Sequence, residues 1–510
     1  LEAGGKNNSI WVNMPAALSI PMNKEKYNWG FSSQPEKNLN FRKITCPRGK
    51  GMGGSSAING MAWVRGNPLD YDKWEELGAK GWNFKSVLPY FLRSENFQNE
   101  DSPWRGNNGP IKVTRGKQTN PLYKAFINAG VSLGYPRTSD PNGFMQEGFG
   151  PMDMSVGNGI RSSSARSYIK PIKKRGNLNI QTNAYVKELM FENKRVTGVS
   201  YIKNNKINKA YTNIEVILSA GAIQSPQILM NSGIGPYSHL KEMEIPIIHN
   251  IPAVGKNLMD HLEIYIQQEC TQPISLYSSN KMLKKLYIGS KWLFFKKGIG
   301  ISNQFESGAF IRSQKGIPWP NIQFHFLPIA ISYDGKKIVN KHSFQVHVGP
   351  TRSKSRGSIS LSSKNYRDSP IIKFNYMDHQ EDWKDFRSCI KLTRKIFNNK
   401  FFDNFRGNEI SPGEHIQSND EIDEFIRKNA ESAYHPCGTC KMGEKFDKNS
   451  VTDNKGKVIG IFGLRVIDAS LMPQITTGNL NAPVIMMAEK LADDILGKTP
   501  PLESKLEFYS

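Results

Sequence analysis

The sequence predicts an α/β domain whose chain is interrupted by an α+β domain. Residues 214–235, IEVILSAGAIQSPQILMNSGIG, predict a strand that ends at Leu218, a turn of small residues and a helix from about Gln224. Residues 464–474 predict another buried strand with Asp468 at its carboxyl end, where open α/β sheets face their ligand. Between these segments, from about residue 265 to 415, alternating strands such as NIQFHFLP and HSFQVHVGP are mixed with helices.

Composition narrows the class of protein. The chain has 510 residues, a length that suggests two domains. The net charge of +23 comes from dispersed lysines without a long arginine-rich tract. This pattern favours compositional drift over nucleic-acid binding, with contact to an anionic membrane face as the lesser alternative. No apolar run approaches the length of about 18 residues that a membrane-spanning helix needs.

The cysteines predict neither disulfides nor a metal site. Five cysteines, an odd number in a long chain, argue against a disulfide framework. Cys437 and Cys440 form a C-x-x-C, but a zinc site needs a second pair at suitable spacing, which the sequence lacks.

The segment RGKGMGGSSAING (48–60) carries a G-x-G-x-x-G at Gly49, Gly51 and Gly54. That spacing is typical of a dinucleotide-binding loop between a strand and a helix. The run before it is polar and contains Pro47, so no buried strand leads into it. We therefore expect no standard Rossmann loop here. The small residues instead predict backbone lying against a ligand.

The chain begins with LEAGG. An apolar residue, the acid Glu2 and a glycine-rich turn resemble the end of a second Rossmann strand, whose carboxylate holds a ribose. A ragged terminus with a chance acid explains the residues equally well. On the first interpretation the chain is a fragment that lacks the first strand, the glycine loop and the first helix.

Two polar residues near the carboxyl end are candidates for chemistry. His435 lies in SAYHPCGTCKMG, at a rigid junction directly before Pro436, and is either a loop histidine or a functional one. Asn479 lies in a polar turn before the last helix, where an N-cap and a catalytic role are both open.

Three further residues have a structural and a functional interpretation. His261 and Glu263 stand in NLMDHLEIY, at the start of an apolar strand, where a solvated turn is the simpler explanation. His325 alternates with apolar neighbours, which is typical of a histidine in the protein core.

Four segments together resemble one family, the glucose–methanol–choline (GMC) flavoprotein oxidoreductases. They are RGKGMGGSSAINGMAWVRGNPLDYDKW, GAIQSPQILMNSGIG, AYHPCGTCKMG and VIDASLMPQITTGNLNAPVIMMAEKLADDI, in family order and spacing. The resemblance runs from Leu1 to about Gly497. Within the family, NLMDHLEIYIQQECTQPISLY and EISPGEHIQSNDEIDEF are most similar to members that oxidise choline in the bacterial betaine pathway, and next to their mitochondrial counterparts.

The resemblance implies a fold, a cofactor and a division of the chain. A Rossmann-like FAD domain would be interleaved with a substrate domain built on an antiparallel sheet with helices. The implied FAD domain comprises residues 1–110, 160–262 and 455–500, and the implied substrate domain comprises residues 111–159 and 263–454. Some choline-oxidising relatives bond FAD to a histidine where this chain has Ile58, so FAD is expected to be noncovalent.

The resemblance also assigns cofactor residues. The segment 48–60 would run beneath FAD, with Glu2 on the ribose, Val186 beside the adenine, and Asp468 and Ala469 near the ribityl chain. The implied cofactor residues are Glu2, Gly53, Gly54, Ser55, Asn59, Gly60, Met61, Ala62, Val186, Asp468, Ala469 and Asn481.

The same resemblance assigns the chemistry. His435 matches the catalytic histidine and Asn479 the second catalytic position, which here can only orient and hydrogen-bond. Glu263 matches the acid that holds the trimethylammonium group of choline, with Tyr434, His325 and His261 as further substrate-binding residues.

The implied reaction turns choline into betaine aldehyde, and a second oxidation to glycine betaine is open. The alternatives are a GMC dehydrogenase for another primary alcohol, in which Glu263 would be structural, and a flavin-free inactive fragment. Quinone, oxygen or another carrier could accept the electrons. A peripheral place on the cytoplasmic side of the bacterial membrane is expected, or on the mitochondrial inner membrane, with no nucleic-acid partner.

Overall fold

A computed structural model describes residues 1–332 and 334–509. Its α-helices are α1 (Ile10–Asn13), α2 (Ser19–Met22), α3 (Pro68–Glu76), α4 (Phe84–Ser94), α5 (Pro121–Ser132), α6 (Lys170–Ile172), α7 (Gly221–Asn231), α8 (Tyr237–Glu242), α9 (Met282–Phe295), α10 (Gln380–Phe397), α11 (Asn419–Asn429) and α12 (Asn481–Ile495).

Most strands belong to antiparallel pairs. The strands are β1 (Phe31–Ser32), β2 (Thr45–Cys46), β3 (Glu95–Phe97), β4 (Ile111–Arg115), β5 (Gly148–Pro151), β6 (Asp153–Met154), β7 (Val156–Gly157), β8 (Ile160–Arg161), β9 (Tyr185–Glu192), β10 (Arg195–Lys203), β11 (Lys206–Tyr211), β12 (Val216–Leu218), β13 (Ile234–Gly235), β14 (His249–Asn250), β15 (Leu262–Cys270), β16 (Ser307–Ile311), β17 (Ile322–Leu327), β18 (Ser343–Pro350), β19 (Ser358–Ser360), β20 (Ile371–Lys373), β21 (Arg406–Ser411), β22 (Glu431–Ser432) and β23 (Leu464–Val466).

The largest sheet is antiparallel and has the strand order β21-β15-β18-β17-β16-β5, with β22 on the edge of β15. It contains the strands that the alternating pattern predicts, so the predicted fold class is confirmed. In the register of β17 and β18, His325 stands opposite His347 and Phe324 opposite Val348.

The two faces of this sheet differ in chemistry because successive side chains on a strand point to opposite faces. One face is aromatic. Phe324 and Phe326 contact Phe126 of α5, and Phe344 contacts Phe397 of α10 with ring centroids 5.1 Å apart. The alternate residues of the same strands carry the polar groups of the opposite face, among them His325 and His347.

The α/β part contributes a parallel pair and a tight turn. β12 pairs with β23, and Leu218 stands opposite Val466. Helix α7 follows β12 and begins at Gly221, somewhat earlier than the sequence predicts. Gly221 N and Ser225 Oγ both donate to Asp468 Oδ2, at 2.8 and 2.5 Å, so this carboxylate stabilises the turn at the ends of both strands.

Among the helices of residues 1–332 and 334–509, none has both the length and the apolar character that crossing a membrane requires.

Candidate active site

A cavity of about 950 Å³ lies between the α/β part and the polar face of the large sheet. The glycine segment, the turn before α7 and the amino-terminal residues surround one end of it. It is also lined by residues of the sheet and of the loops before β16, β23 and α12, namely Glu263, Phe305, His325, His347, Tyr434, His435 and Asn479.

The glycine segment presents backbone to the cavity. Gly53 and Gly54 have φ angles of 91° and 49°, in the left-handed region that side chains rarely adopt. A Cβ atom on Gly49 would lie 2.1 Å from the backbone of Gly54, so the loop can close only without it. The sequence prediction of a close backbone approach at this segment agrees with its place on the cavity wall.

All residues that the family resemblance assigns to FAD line this one cavity. Glu2 is held there because Gly4 N and Gly51 N both donate to its Oε1, each at 2.8 Å. The Asn481 side-chain nitrogen is buried without a partner among the described residues, so it is a donor available to a ligand. The cavity therefore fits an elongated group with acceptor atoms. The residues that could hold it are Glu2, Gly53, Gly54, Ser55, Asn59, Gly60, Met61, Ala62, Val186, Asp468, Ala469 and Asn481.

A chain of hydrogen bonds fixes the proton positions on two histidines. His261 Nε2 lies 2.8 Å from the Thr351 carbonyl, which can only accept, so Nε2 carries the proton. His261 Nδ1 lies 3.0 Å from His435 Nδ1 and must accept there if His261 is neutral. His435 then carries its proton on Nδ1. Its Nε2 keeps a lone pair, 3.1 Å from the amide nitrogen of Asn479.

Burial keeps these histidines neutral. It lowers the pKa of His435 well below its usual value, and it lowers the pKa of His261 and of His325 to about 4. At neutral pH the lone pair on His435 Nε2 is therefore available to take a proton.

Asp260 anchors the backbone of both histidines. Its Oδ1 accepts from His261 N at 2.9 Å and His435 N at 2.7 Å, and its Oδ2 accepts from Tyr376 OH and Ser432 Oγ at 2.5 Å each. Burial raises the pKa of Asp260, and these donors oppose that rise. Four donors occupy the carboxylate, so it positions the histidines and does not face the cavity.

Tyr434 reaches the cavity wall through an unusual backbone. Its φ angle of 66° lies in the left-handed region. The backbone around it is held by two contacts, because Tyr434 N donates to Ser432 Oγ at 2.8 Å and Arg48 donates to the Tyr434 carbonyl. Tyr434 thus lines the cavity directly before His435 in the chain, with its hydroxyl 3.5 Å from Thr45 Oγ1.

Two neighbouring strands use the same pattern, a glutamine two positions before a histidine. Gln323 Nε2 lies 2.9 Å from His325 Nε2, and Gln345 Nε2 lies 2.7 Å from His347 Nε2. Each amide donates to its histidine, which leaves the histidine proton on Nδ1. Gln323 Nε2 also lies 3.2 Å from the side-chain oxygen of Asn479, which orients that amide.

The Nδ1 protons of His347 and His325 differ in their hydrogen-bond partners. His347 Nδ1 lies 3.1 Å from Glu263 Oε1 and donates to it. His325 Nδ1 is buried and has no hydrogen-bond partner within the described part of the chain, although its ring lines the cavity. It is a donor that a bound oxygen atom could use.

Glu263 lies on the wall near aromatic rings. Its Oε1 accepts from Tyr265 OH at 3.2 Å as well as from His347. The Phe305 ring stands edge-on to His325 and His347, with centroids 5.6 and 5.4 Å away. A carboxylate beside aromatic faces suits a cation that offers no hydrogen bonds, such as a quaternary ammonium.

The structure brings the predicted site residues together, with one difference. His435, Asn479, Glu263, His325 and Tyr434 all line the cavity. His261, expected to bind substrate, does not, because its ring lies between the Thr351 carbonyl and the ring of His435. Asn479 does not cap α12, since Leu480 is the N-cap residue and no side chain caps that helix.

Sequence reasoning missed the supporting residues. They are Asp260, Gln323, Gln345, His347 and Phe305. A signal for three of them was present, because IQFHF and FQVHV repeat one Q-x-H pattern on consecutive strands.

Comparison with known proteins gives a consistent result. Residues 5–263 match one model of the GMC oxidoreductase family, and residues 353–488 match a second. Proteins named oxygen-dependent choline dehydrogenase from Brucella ovis and Sinorhizobium fredii are 53% and 52% identical over 507 residues, which cover 99% of this chain and 92% of each relative.

Solved structures agree on the fold. Pyridoxine 4-oxidase from Mesorbium loti superposes with a TM-score of 0.88 at 27% identity, covering 98% of this chain and 94% of that one. Formate oxidase superposes with a TM-score of 0.91 at 25% identity, covering 97% and 93%.

Proposed function

Because the chain belongs to the GMC oxidoreductase family, we propose that it is an FAD-dependent dehydrogenase that oxidises choline to betaine aldehyde. The relatives named oxygen-dependent choline dehydrogenase support this substrate. The observation that carries the proposal is the placement of Glu263 and aromatic rings in the same cavity as the neutral base His435. A neutral alcohol would leave the Glu263 carboxylate without a counter-charge.

Bound FAD supplies the hydride acceptor of the reaction. The residues assigned to it are the cavity residues named above, and Ile58 on the same wall has no nucleophilic atom, which supports a noncovalent flavin. Asn481 offers its free donor to this group.

The protein residues handle the proton and the charge. His435 Nε2 takes the hydroxyl proton of the substrate, since burial keeps the ring neutral. The substrate hydroxyl would replace the hydrogen bond that this nitrogen accepts from the Asn479 amide. The Asn479 amide and the His325 Nδ1 proton can stabilise the negative charge that develops on the substrate oxygen. Glu263, held by His347, balances the ammonium charge. The hydrated aldehyde presents a hydroxyl to the same groups, so a second oxidation to glycine betaine belongs to the proposal.

The acceptor of the electrons and the location of the enzyme are further parts of the proposal. The relatives are named for oxygen, and a membrane quinone is the other candidate, with the enzyme peripheral on the cytoplasmic face of the bacterial membrane. The net charge of +23 supports contact with an anionic surface.

The division into domains is proposed as the sequence suggests. An FAD domain would comprise residues 1–110, 160–262 and 455–500, and a substrate domain residues 111–159 and 263–454. The large sheet supports this division, since its strands β5, β15–β18, β21 and β22 fall almost wholly in the second set.

Turnover by the FAD-loaded protein tests the function. Choline and its neutral isostere 3,3-dimethylbutan-1-ol are compared, with other primary alcohols, through a soluble dye acceptor. We expect kcat/KM to be highest for choline. Equal or higher kcat/KM for the isostere would overturn the assignment of choline and favour another alcohol.

A further inference from the structure

Helix α9 exposes an apolar face. Met282, Leu286 and Leu293 follow one another at helical spacing, as do Leu283, Tyr287 and Phe294, so the two rows lie side by side. All are exposed, with Leu283 at 81% and Phe294 at 74%. Monomeric proteins seldom expose a contiguous apolar patch of this kind without a partner.

The opposite face of α9 is fixed to the protein. Trp292 is only 2% exposed, and its indole nitrogen donates to the Gly159 carbonyl at 2.6 Å. It packs in a small cluster with Met14 and Ala17. The apolar face therefore cannot turn inward without breaking this anchor.

The segment around α9 is strongly basic. Between Glu269 and Glu306 the sequence has no acidic residue and six lysines, Lys281, Lys284, Lys285, Lys291, Lys296 and Lys297. Across the described ranges, none of these ammonium groups is paired with a carboxylate. Lys296 Nζ instead donates to the Trp292 and Leu293 carbonyls. Apolar side chains flanked by lysines without carboxylate partners are the pattern of a helix that lies in a membrane interface.

We propose that this face of α9 docks on an anionic lipid bilayer. The apolar side chains would enter the boundary of the acyl region while the lysines reach the phosphate groups. Pairing with a second copy of the chain is disfavoured, because a two-fold contact would bring two such lysine clusters together. The inference rests on the proposed peripheral location and names the surface that produces it.

Docking at α9 would also place the bilayer near the active site. The segment that carries Met14 and Ala17 against Trp292 continues into Leu18 and Met22, which line the cavity. A lipid-soluble electron acceptor would then approach the cavity from the membrane side of this segment.

Vesicle co-sedimentation of the holoenzyme tests the inference. Mixed phosphatidylcholine and phosphatidylglycerol vesicles are compared with phosphatidylcholine alone. We expect the wild type to bind the anionic vesicles. The affinity of Leu283→Ser/Phe294→Ser for them should be about ten-fold lower or more. In Lys284→Gln/Lys297→Gln the affinity for anionic vesicles should fall about five-fold for each lysine removed. Added salt should reduce this difference between the wild type and the variant.

A matched control changes an apolar and a basic residue elsewhere. Lys445→Gln/Phe446→Ser alters a side chain that is 97% exposed, and it should bind vesicles like the wild type. Choline turnover with a soluble acceptor should be unchanged in all three variants, which shows that they fold.

The outcomes separate two failures. Wild-type protein that binds neither vesicle would overturn the peripheral location itself. If the wild type and both α9 variants bound anionic vesicles equally well, the role of α9 would be wrong, whereas the peripheral location would be supported. Light scattering without lipid gives the oligomeric state. If the wild type were a dimer and Leu283→Ser/Phe294→Ser a monomer, the apolar face would bind a second copy of the chain, and the bilayer proposal would be wrong.

Discussion

Asp260 lies just before strand β15 and Glu263 is the second residue of that strand, and the two are almost equally buried, with exposed fractions of 5% and 7%. Their surroundings differ in the number of donors. Asp260 receives four hydrogen bonds, on both oxygens. Glu263 receives two, both on Oε1, from the residues that the structure describes. Burial alone therefore does not distinguish a structural carboxylate from a ligand-binding one, whereas the occupancy of its acceptor sites does.

The number of donors thus indicates different roles for Asp260 and Glu263. The Asp260 carboxylate holds the backbone of His261 and of His435, the proposed base. The cavity carboxylate keeps acceptor capacity for a charged ligand. Variants on each side should accordingly change different kinetic quantities.

Removing the base should have the largest effect. His435→Ala is expected to lower choline turnover about 10²–10⁴-fold, the usual contribution of a positioned acid–base group. The flavin absorbance of the purified protein should stay near normal. The exposed His415 gives a matched control, and His415→Ala should turn over choline like the wild type. A His435 variant that keeps most of its turnover when chemistry limits the rate would exclude this role.

Removing the anchor should act through the base. Asp260→Ala leaves two backbone N–H groups and two hydroxyls without their acceptor, and the resulting shift of His435 should lower kcat about 10²-fold. Asp260→Asn should stay within a few-fold of wild type. Its oxygen can serve both backbone donors, while its NH₂ donates to the Ser432 and Tyr376 hydroxyls, which can also accept. If Asn and Ala were equally damaging, the charge of Asp260 would be required, and the positioning account would be wrong.

Changing the cavity carboxylate should affect binding. Glu263→Gln is expected to weaken choline binding about 10- to 100-fold, the strength of an ion pair in a partly desolvated pocket. Binding of 3,3-dimethylbutan-1-ol should change less than a few-fold. Dissociation constants measured with reduced enzyme or as competitive inhibition are suitable, because KM mixes binding with chemistry. Equal losses for both ligands would place Glu263 beside Asp260 as a structural group.

Acidification should have the smallest effect on activity. Burial lowers the pKa of His435 well below the usual 6.5, so the base stays neutral as the pH falls through that value. We expect kcat/KM to fall less than about two-fold between pH 7.5 and 6.5. A steep acid limb centred near pH 6.5 would contradict a buried neutral base.

Stability should respond differently from activity. His261 and His325, with pKa values near 4 in the folded protein, gain protons on unfolding once the pH drops below about 6.5. The free energy of unfolding, measured with urea, should therefore be unaffected above pH 7 and decrease as the pH falls from about 6.5 toward 4.

The sequence could predict most of the residues that line the cavity but not the residues that support them. The glycine segment, His435, Asn479 and Glu263 stand in local patterns, and the structure places all of them on one cavity. His347 and its partner Gln345 depend on which residue faces which across β17 and β18, and a single sequence does not state that register. The family resemblance assigns His261 to substrate binding, whereas only the fold shows that Thr351 and His435 enclose its ring.

The alternation along β17 and β18 also bears on how this protein can evolve or be engineered. Polar side chains of the cavity face and side chains of the core occupy alternate positions of the same two strands. Inserting or deleting one residue at the start of β17 would carry Phe324 and Phe326 to the cavity face and His325 to the aromatic face. Changes of specificity are therefore confined to point substitutions at every second position. A saturation library of these strands should show that period in its surviving variants.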